Sequence, residues 1–357
     1  MKIFACGNCE NPVYFENTAC MSCGATLGFV PDTARMVSLD DDGSATLIGA
    51  DASTRYVKCR HHARDDGCNW MIRHDDIDHD GYCISCRLNH TIPDLDVPGH
   101  RALWHRLEAE KRRLVYACLQ LGLDVSPKEV REDGLAFDFL ADPDPSFSER
   151  GRVLTGHDAG LITINIAEAD PAARIRMREE MDEPYRTILG HFRHESGHFY
   201  WDRLVAPTAW LDNCRQLFGD ERQDYGEALE AHYTNGPRPD WRDHHISSYA
   251  ASHPWEDWAE SWSHYLLMLD TLDTAWHFGV QTSPRRVDSE LLESDLQRPP
   301  YRENDFDRLM AQWMPLTVAL NCLNRSVGQE DAYPFALAAP VIEKLRFVHR
   351  VVRGLPL

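Results

Sequence analysis

The five residues His194-Glu195-Ser196-Gly197-His198 have the types and the spacing of a zinc-binding catalytic motif, H-E-x-x-H. On a helix, residues four apart share one face, so both imidazoles can bind one zinc ion. The glutamate between them can then accept a proton from a zinc-activated water. Because the chain contains 18 histidines, two ordinary core histidines around a surface glutamate are the alternative interpretation. The sequence around the motif is therefore needed to distinguish a zinc site from ordinary core histidines.

The residues around the motif predict the helix that it requires. Residues 182–193 lead into it and begin with acidic residues and Pro184, as the first turn of a helix often does. Apolar residues recur at the spacing of a buried helix face: Ile188, Leu189, Phe192 and Phe199. We expect this helix to end near Trp201 or Leu204.

A second helix, predicted to begin after Pro254, carries the remaining candidate ligands. Glu256, Glu260 and His264 stand at i, i+4 and i+8 and therefore share one face. Two carboxylates one turn apart among aromatic residues suit a site in which one binds metal and the other orients a ligand histidine. A solvated acidic stripe is the alternative.

Together the two helices resemble the gluzincin arrangement of metallopeptidases, in the E-x-x-A-E form of the catalytic domain of anthrax lethal factor. The resemblance implies that His194, His198 and Glu256 bind zinc. It also implies that Glu195 acts as general base and then as general acid, and that Glu260 orients a zinc-bound histidine.

Enzymes of this kind also place a tyrosine shortly before the ligand glutamate, where it stabilises the oxyanion. By this resemblance Tyr249 is the further candidate catalytic residue. Tyr200 and Tyr265 are also near in sequence and remain alternatives.

The N-terminus contains Cys6-x-x-Cys9 and, ten residues later, Cys20-x-x-Cys23. Each C-x-x-C places two thiolates on a tight turn, and two such turns complete a tetrahedral zinc site. Disulfides are the alternative, which the paired spacing disfavours. We predict a zinc ribbon.

A second group of cysteines, Cys59, Cys68, Cys83 and Cys86, is spaced less regularly. A segment this short and polar could hardly bury a core without metal, so we predict a second four-cysteine zinc module. Scattered thiols are the alternative, as is a site in which one of four histidines replaces a cysteine: His61, His62, His74 or His79.

Both parts of the chain together resemble a bacterial family of zinc-binding metallopeptidases with an N-terminal zinc-ribbon region. Besides the two helices that carry the candidate metal ligands, three short sequence segments support the resemblance: Gly-Cys-Asn-Trp at 67–70, Cys-Ile-Ser-Cys-Arg-Leu at 83–88 and Gly-His-Asp at 156–158. The resemblance covers nearly the whole chain. It implies no particular substrate, because the family is named for its motif.

The charge of the chain argues against nucleic acid as a partner. Its 57 acidic and 37 basic residues give a formal net charge of −20, which repels phosphates. The basic run Lys111-Arg112-Arg113 is the one local exception, and we predict that it lies on a solvated helix face. We expect Cys118, Cys214 and Cys322, which stand apart from the two groups, to be buried apolar residues.

The length and pattern predict an α+β protein with two regions. Residues 1–92 form the zinc-ribbon region, 93–99 a linker, and 100–357 a mostly helical, zincin-like domain with a small antiparallel sheet. Within that domain we predict helices at 100–121, 305–324 and 338–352. We also predict a strand at 161–167 as the substrate-binding edge of the sheet, with an ordinary sheet strand as the alternative.

No apolar run approaches the roughly 20 residues of a membrane span, and we expect the chain to enter the first ribbon directly rather than through a signal sequence. We therefore expect a cytoplasmic protein without membrane association.

We predict a zinc metallopeptidase with one catalytic and two structural zinc ions, acting on a peptide or protein, with ribbons that recognise substrate or a protein partner. Two alternatives stay open: a non-enzymatic adaptor with a scaffold domain, and a zinc hydrolase of a non-peptide amide.

Overall fold

The computed structural model describes residues 2–48, 53–65, 67–77, 80–142, 153, 155–180, 187–286 and 289–356. The chain divides into two compact units, Lys2–Phe192 and Arg193–Leu357. The predicted start of the motif helix, residues 182–186, lies outside the described residues.

The described part of the first unit contains short strands and three helices of its own. The strands are β1 (Ile3–Ala5), β2 (Pro12–Tyr14), β3 (Leu27–Val30), β4 (Arg35–Ser38), β5 (Ser44–Ile48), β6 (Ser53–Lys58), β7 (Met71–Arg73), β8 (Asn89–Thr91), β9 (Ala136–Leu140), β10 (Gly156–Asp158) and β11 (Leu161–Asn165). The helices are α1 (Arg60–Arg64), α2 (His100–Gln120) and α3 (Pro171–Glu180). Helix α2 confirms the helix predicted at 100–121.

The cysteine-rich part of this unit packs directly against α2. Strands β1 and β2 form one hairpin, β3 and β4 another, and β5, β6 and β7 a three-stranded sheet. The ring of Phe15 lies 4.9 Å from that of Phe29 and 5.4 Å from that of Tyr116, which belongs to α2. Phe29 in turn lies 5.1 Å from Trp70. Aromatic rings thus supply the apolar core that short strands cannot provide by themselves.

The four-stranded sheet has the order β10-β11-β9-β8. Strand β9 pairs in parallel with both β8 and β11, and only β10 is antiparallel to its neighbour β11. The α+β class is confirmed, but the prediction of an antiparallel sheet was wrong. The alternation of buried residues along β9 and β11 is the same for parallel and for antiparallel pairing, so the sequence pattern could not distinguish the two arrangements.

The predicted substrate-binding edge was also wrong, because β11 lies inside the sheet between β10 and β9. A hairpin through Ala159 and Gly160 returns the chain along β11 and leaves β10 at the edge.

Two predictions about single residues also fail. Lys111 and Arg112 are buried rather than solvated, whereas Arg113 is partly exposed and pairs with Glu16. Cys322 is exposed, whereas Cys118 and Cys214 are buried as expected. The helical pattern alone did not show that α2 is covered on the side that carries Lys111 and Arg112.

The described part of the second unit is helical. Its helices are α4 (Ile188–Leu204, whose first turn belongs to the first unit), α5 (Trp210–Phe218), α6 (Tyr225–Asn235), α7 (Trp241–His244), α8 (Pro254–Phe278), α9 (Phe306–Ser326) and α10 (Ala339–Arg353). Helices α9 and α10 confirm those predicted at 305–324 and 338–352. Helix α4 ends at Leu204, as predicted.

A buried ion pair joins α8 to the C-terminal helix α10. Lys344 Nζ donates to Asp257 Oδ2 at 2.5 Å and to the carbonyl oxygen of His244 at 2.7 Å. The same carboxylate oxygen lies 3.1 Å from His245 Nδ1. Asp257 is fully buried and directly follows the candidate ligand Glu256, so this ion pair helps to fix the start of α8.

Replacing Lys344 with methionine should lower the free energy of unfolding by about 3–5 kcal/mol, because it leaves the buried Asp257 charge without its main counter-charge. Chemical denaturation of the full chain measures this. The control is Arg346→Met, which breaks an exposed pair with Asp307 and should cost about 0–1 kcal/mol. Equal losses in the two variants would contradict the role given to Lys344.

Candidate metal centre

Helices α4 and α8 approach each other closely at the motif. A Cβ atom added to Gly197 would lie 2.9 Å from the Cα atom of Ala259, so no larger residue fits without moving a backbone. Two indole groups of α8 bind α4: Trp258 Nε1 donates to the Gly197 carbonyl at 2.8 Å, and Trp262 Nε1 to Ser196 Oγ at 3.1 Å. The two residues between the motif glutamate and its second histidine therefore hold the helices together.

This approach brings together the three residues predicted to bind zinc. One ligand atom from each of His194, His198 and Glu256 lies within 4.8 Å of the other two. His194 Nε2 lies 2.9 Å from Glu256 Oε2, and His198 Nε2 lies 3.5 Å from Glu256 Oε1. All three side chains are buried. Two imidazole nitrogens and a carboxylate oxygen around one point are a donor set that zinc uses in hydrolases.

Glu260 occupies the position expected of the orienting residue. Its Oε1 lies 2.7 Å from His194 Nδ1, and its Oε2 accepts a hydrogen bond from Ser247 Oγ at 2.7 Å. Ser247 Oγ itself accepts from the Ala250 backbone N–H at 3.0 Å, so its own proton points towards Glu260. With Nδ1 of His194 held in this way, its Nε2 is the nitrogen that faces Glu256.

Burial is the largest single influence on the pKa values of His194, Glu256 and Glu260, and it opposes charge on each of them. The interactions of these groups with their charged and hydrogen-bonding neighbours together outweigh burial. Hydrogen bonds with Glu256 and Glu260 raise the pKa of His194 well above its ordinary value. His198 and His194 hold the pKa of Glu256 well below its ordinary value, and the hydrogen bond with His194 lowers the pKa of Glu260. Both carboxylates are therefore anionic at neutral pH, as a metal ligand and a hydrogen-bond acceptor must be.

Two tyrosines lie beside the three ligands. The ring of Tyr249 lies 5.8 Å from that of His194. Tyr225, on α6, donates from its hydroxyl to Glu256 Oε1 at 2.8 Å. Burial, together with the charge of Glu256, raises the pKa of both tyrosines, so both hydroxyls stay protonated. The negative charge of Glu195 makes a smaller contribution in the same direction to the pKa of both phenols.

The other two tyrosines near in sequence have different surroundings. Tyr200 stacks on Trp262 with ring centroids 4.9 Å apart, and the Tyr265 hydroxyl bonds to His349 Nδ1 at 3.0 Å. Sequence reasoning missed Tyr225 and Ser247. No spacing pattern links either to the motif, although Asp224 before Tyr225 signals a helix start.

In the first unit the structure brings Cys6, Cys9, Cys20 and Cys23 together, with ligand atoms within 4.8 Å of one another. Asn11 Nδ2 donates to Cys9 Sγ, and with the Asn11 backbone it lowers the pKa of Cys9 to about 6. Lowered thiol pKa values favour the thiolates that bind metal.

The second group, Cys59, Cys68, Cys83 and Cys86, is fully buried and equally compact. Cys68 Sγ lies 3.7 Å from Cys83 Sγ, and the backbone N–H of Cys83 donates to Cys59 Sγ at 3.3 Å. Among the described residues, no histidine takes a place in this group; His79 lies outside them. Four converging thiols with N–H donors fit a structural zinc site.

These features define a class of protein: a zinc-ribbon region with two four-cysteine groups, followed by a helical domain in which two histidines and a glutamate could hold a metal ion. The chain belongs to the family described as "Putative zinc-binding metallo-peptidase", which matches residues 100–351. A zinc-ribbon domain family matches residues 3–97.

The relatives of the chain are bacterial. It is 41% identical over 354 residues to an uncharacterized protein of Mycobacterium bovis, and to uncharacterized proteins of two Mycobacterium tuberculosis strains. Each match covers 99% of this chain and 95% of the relative. No solved structure matches the chain. None of the helices in its described part is long and apolar enough to cross a membrane.

Replacing Ser247 with alanine should weaken metal binding at the His-His-Glu site by about 10- to 100-fold, because Glu260 loses the group that fixes it behind His194. Competition with a chelator for Co²⁺, followed by absorbance, measures the affinity. Ser248→Ala is the matched control, and threonine at position 247 should restore most of the affinity. Unchanged Co²⁺ affinity in Ser247→Ala would contradict this positioning role.

Proposed function

We propose that the protein is a zinc-dependent peptidase. The convergence of His194, His198 and Glu256 supports this most directly, because it supplies a metal site on the helix that also carries Glu195, the residue after His194. Three protein ligands leave a coordination position open, as in catalytic zinc sites, whereas structural sites close all four. The family's description points to the same activity.

A bound zinc ion would polarise the scissile carbonyl and lower the pKa of water to about 7. We assign to Glu195 the role of general base: it accepts a proton from the attacking water as the new C–O bond forms. The same carboxyl then gives that proton to the amine nitrogen as the C–N bond breaks, which balances the reaction.

The surrounding residues have supporting roles in this proposal. Glu260, itself held by Ser247, keeps His194 in the tautomer whose Nε2 can bind metal. We assign to Tyr249 the donation of a hydrogen bond to the oxyanion, an effect worth roughly 10²–10³ in rate. Tyr225 is already bonded to Glu256, so we infer that it orients this ligand.

We further propose that each four-cysteine group holds one structural zinc ion, which gives three ions per chain with the catalytic one. Because closed four-thiolate sites offer no position for a substrate, the ribbons would serve in recognition of a protein substrate or partner. We expect the substrate to be a peptide or protein.

Replacing Glu195 with glutamine should abolish peptide hydrolysis while all zinc stays bound, because the amide cannot accept the proton. A library of fluorescence-quenched peptides measures cleavage, and elemental analysis measures zinc per chain. Glu230→Gln, on the exposed face of α6, is the control and should cleave at the wild-type rate.

The outcomes separate the candidate functions. Cleavage by the Glu195→Gln protein at the wild-type rate would refute the assigned mechanism. A wild-type protein that holds its zinc at His194 but cleaves no peptide in the library would favour the adaptor over the peptidase.

A further inference from the structure

Helix α2 buries a cluster of charged side chains that the proposed peptidase mechanism does not use. Glu108 and Lys111 are 0% exposed and Arg112 is 7% exposed. Glu108 Oε1 accepts hydrogen bonds from Lys111 Nζ and from Asn89 Nδ2, both at 2.8 Å. Arg112 Nη1 lies 3.7 Å from the other carboxylate oxygen of Glu108. Burying so many charges is costly unless each is compensated.

The charges of this cluster do not balance among themselves. Glu108 contributes one negative charge, while Lys111 and Arg112 contribute two positive charges, so the three side chains together carry a surplus positive charge. Lys111 bonds directly to Glu108 and to Asn89, which leaves Arg112 as the more weakly compensated of the two cations. A buried surplus of this kind requires a negative group nearby.

Arg112 points towards the second group of cysteines. Its Nη1 donates to the carbonyl oxygen of Gly67 at 2.6 Å, and Gly67 directly precedes Cys68. Burial opposes the charge of Arg112, but interactions with Cys68, Glu108, Cys86 and Cys83 outweigh it and raise the pKa of the guanidinium. Four thiolates around one Zn²⁺ carry a net charge of about −2, all of it buried here.

We propose that Arg112 is the buried counter-charge of the anionic centre that a zinc ion forms with the thiolates of Cys59, Cys68, Cys83 and Cys86, so that α2 helps this centre to retain its metal. The inference rests on zinc occupancy of that site, which the experiment below checks separately. It makes this second zinc centre a shared part of the ribbon and of the first helix of the peptidase region.

The first four-cysteine group (Cys6, Cys9, Cys20 and Cys23) does not require a buried cation from a helix. Cys23 is exposed, and neutral amide groups donate to its thiols: Asn8 Nδ2 to Cys23 Sγ and Asn11 Nδ2 to Cys9 Sγ, both at 3.4 Å. Water can solvate the net negative charge there. The buried second group is shielded from water and depends on a protein cation instead.

The test measures zinc release from the full-length protein to a chromophoric chelator, with total zinc from elemental analysis. Cys68→Ser identifies the zinc that belongs to the second site. Arg112→Met should release that zinc about 10- to 100-fold faster than wild type, as expected when an outer partner of a metal site is lost. Arg112→Lys should lie between the two, and Arg113→Met, which removes the neighbouring surface cation, should match wild type.

A second variant should change the rate of zinc release in the opposite direction. Glu108→Gln removes the negative charge from the cluster while keeping the shape of the side chain, so it should slow zinc release from the same site. Glu108→Gln also tests the proposal if Arg112→Met does not fold. A packing defect would speed zinc release in both variants, whereas the loss of a negative charge should slow it.

Three results would overturn the proposal. Release from Arg112→Met at the wild-type rate would show that the guanidinium is not needed. Release from Glu108→Gln that is no slower than wild type, in a protein whose thermal unfolding midpoint matches that of wild type, would show that charge is not the cause. Equal zinc content in Cys68→Ser and wild type would remove the zinc premise itself, whatever the state of the His-His-Glu site.

Discussion

The close approach of α4 to α8 is the constraint on which the candidate metal centre depends. Gly197 offers no side chain and Ala259 only a methyl group, so the two backbones come close enough for His194 and His198 to face Glu256. The indole N–H groups of α8 then bond to α4 and fix the contact. The small residues within both motifs are thus as much a part of the site as its ligands.

Helix α8 carries three carboxylates within its first two turns: Glu256 and Asp257 are fully buried, and Glu260 is partly exposed. Glu256 faces two imidazoles, Asp257 faces Lys344 and His245, and Glu260 faces His194 and Ser247. Glu256 and Glu260 thus join α8 to α4, and Asp257 joins it to α10. Because a buried carboxylate without its partner is costly, these pairs specify one arrangement of the helices around the site.

The sequence was most informative where chemistry is encoded by spacing along one element. The H-E-x-x-H motif, the E-x-x-A-E helix and the cysteine pairs could be recognised because helices and turns fix the distances between nearby residues. Residues that reach the site from elsewhere could not: Tyr225 lies 31 residues from Glu256. The burial of Lys111 and Arg112 likewise depends on what covers α2, and the strand directions depend on topology rather than on alternation.

Strand β8 lies within residues 3–97, which match the zinc-ribbon family, yet it pairs with β9 from the part that matches the peptidase family. Recombination that exchanged one of these segments for a foreign one would have to preserve a shared sheet and an aromatic core that extends onto α2. A protease that cut between β8 and α2 would nick the chain without freeing its N-terminal piece. The ribbons and the first part of the peptidase region are therefore joined by shared secondary structure and by a shared core, as well as by the covalent chain.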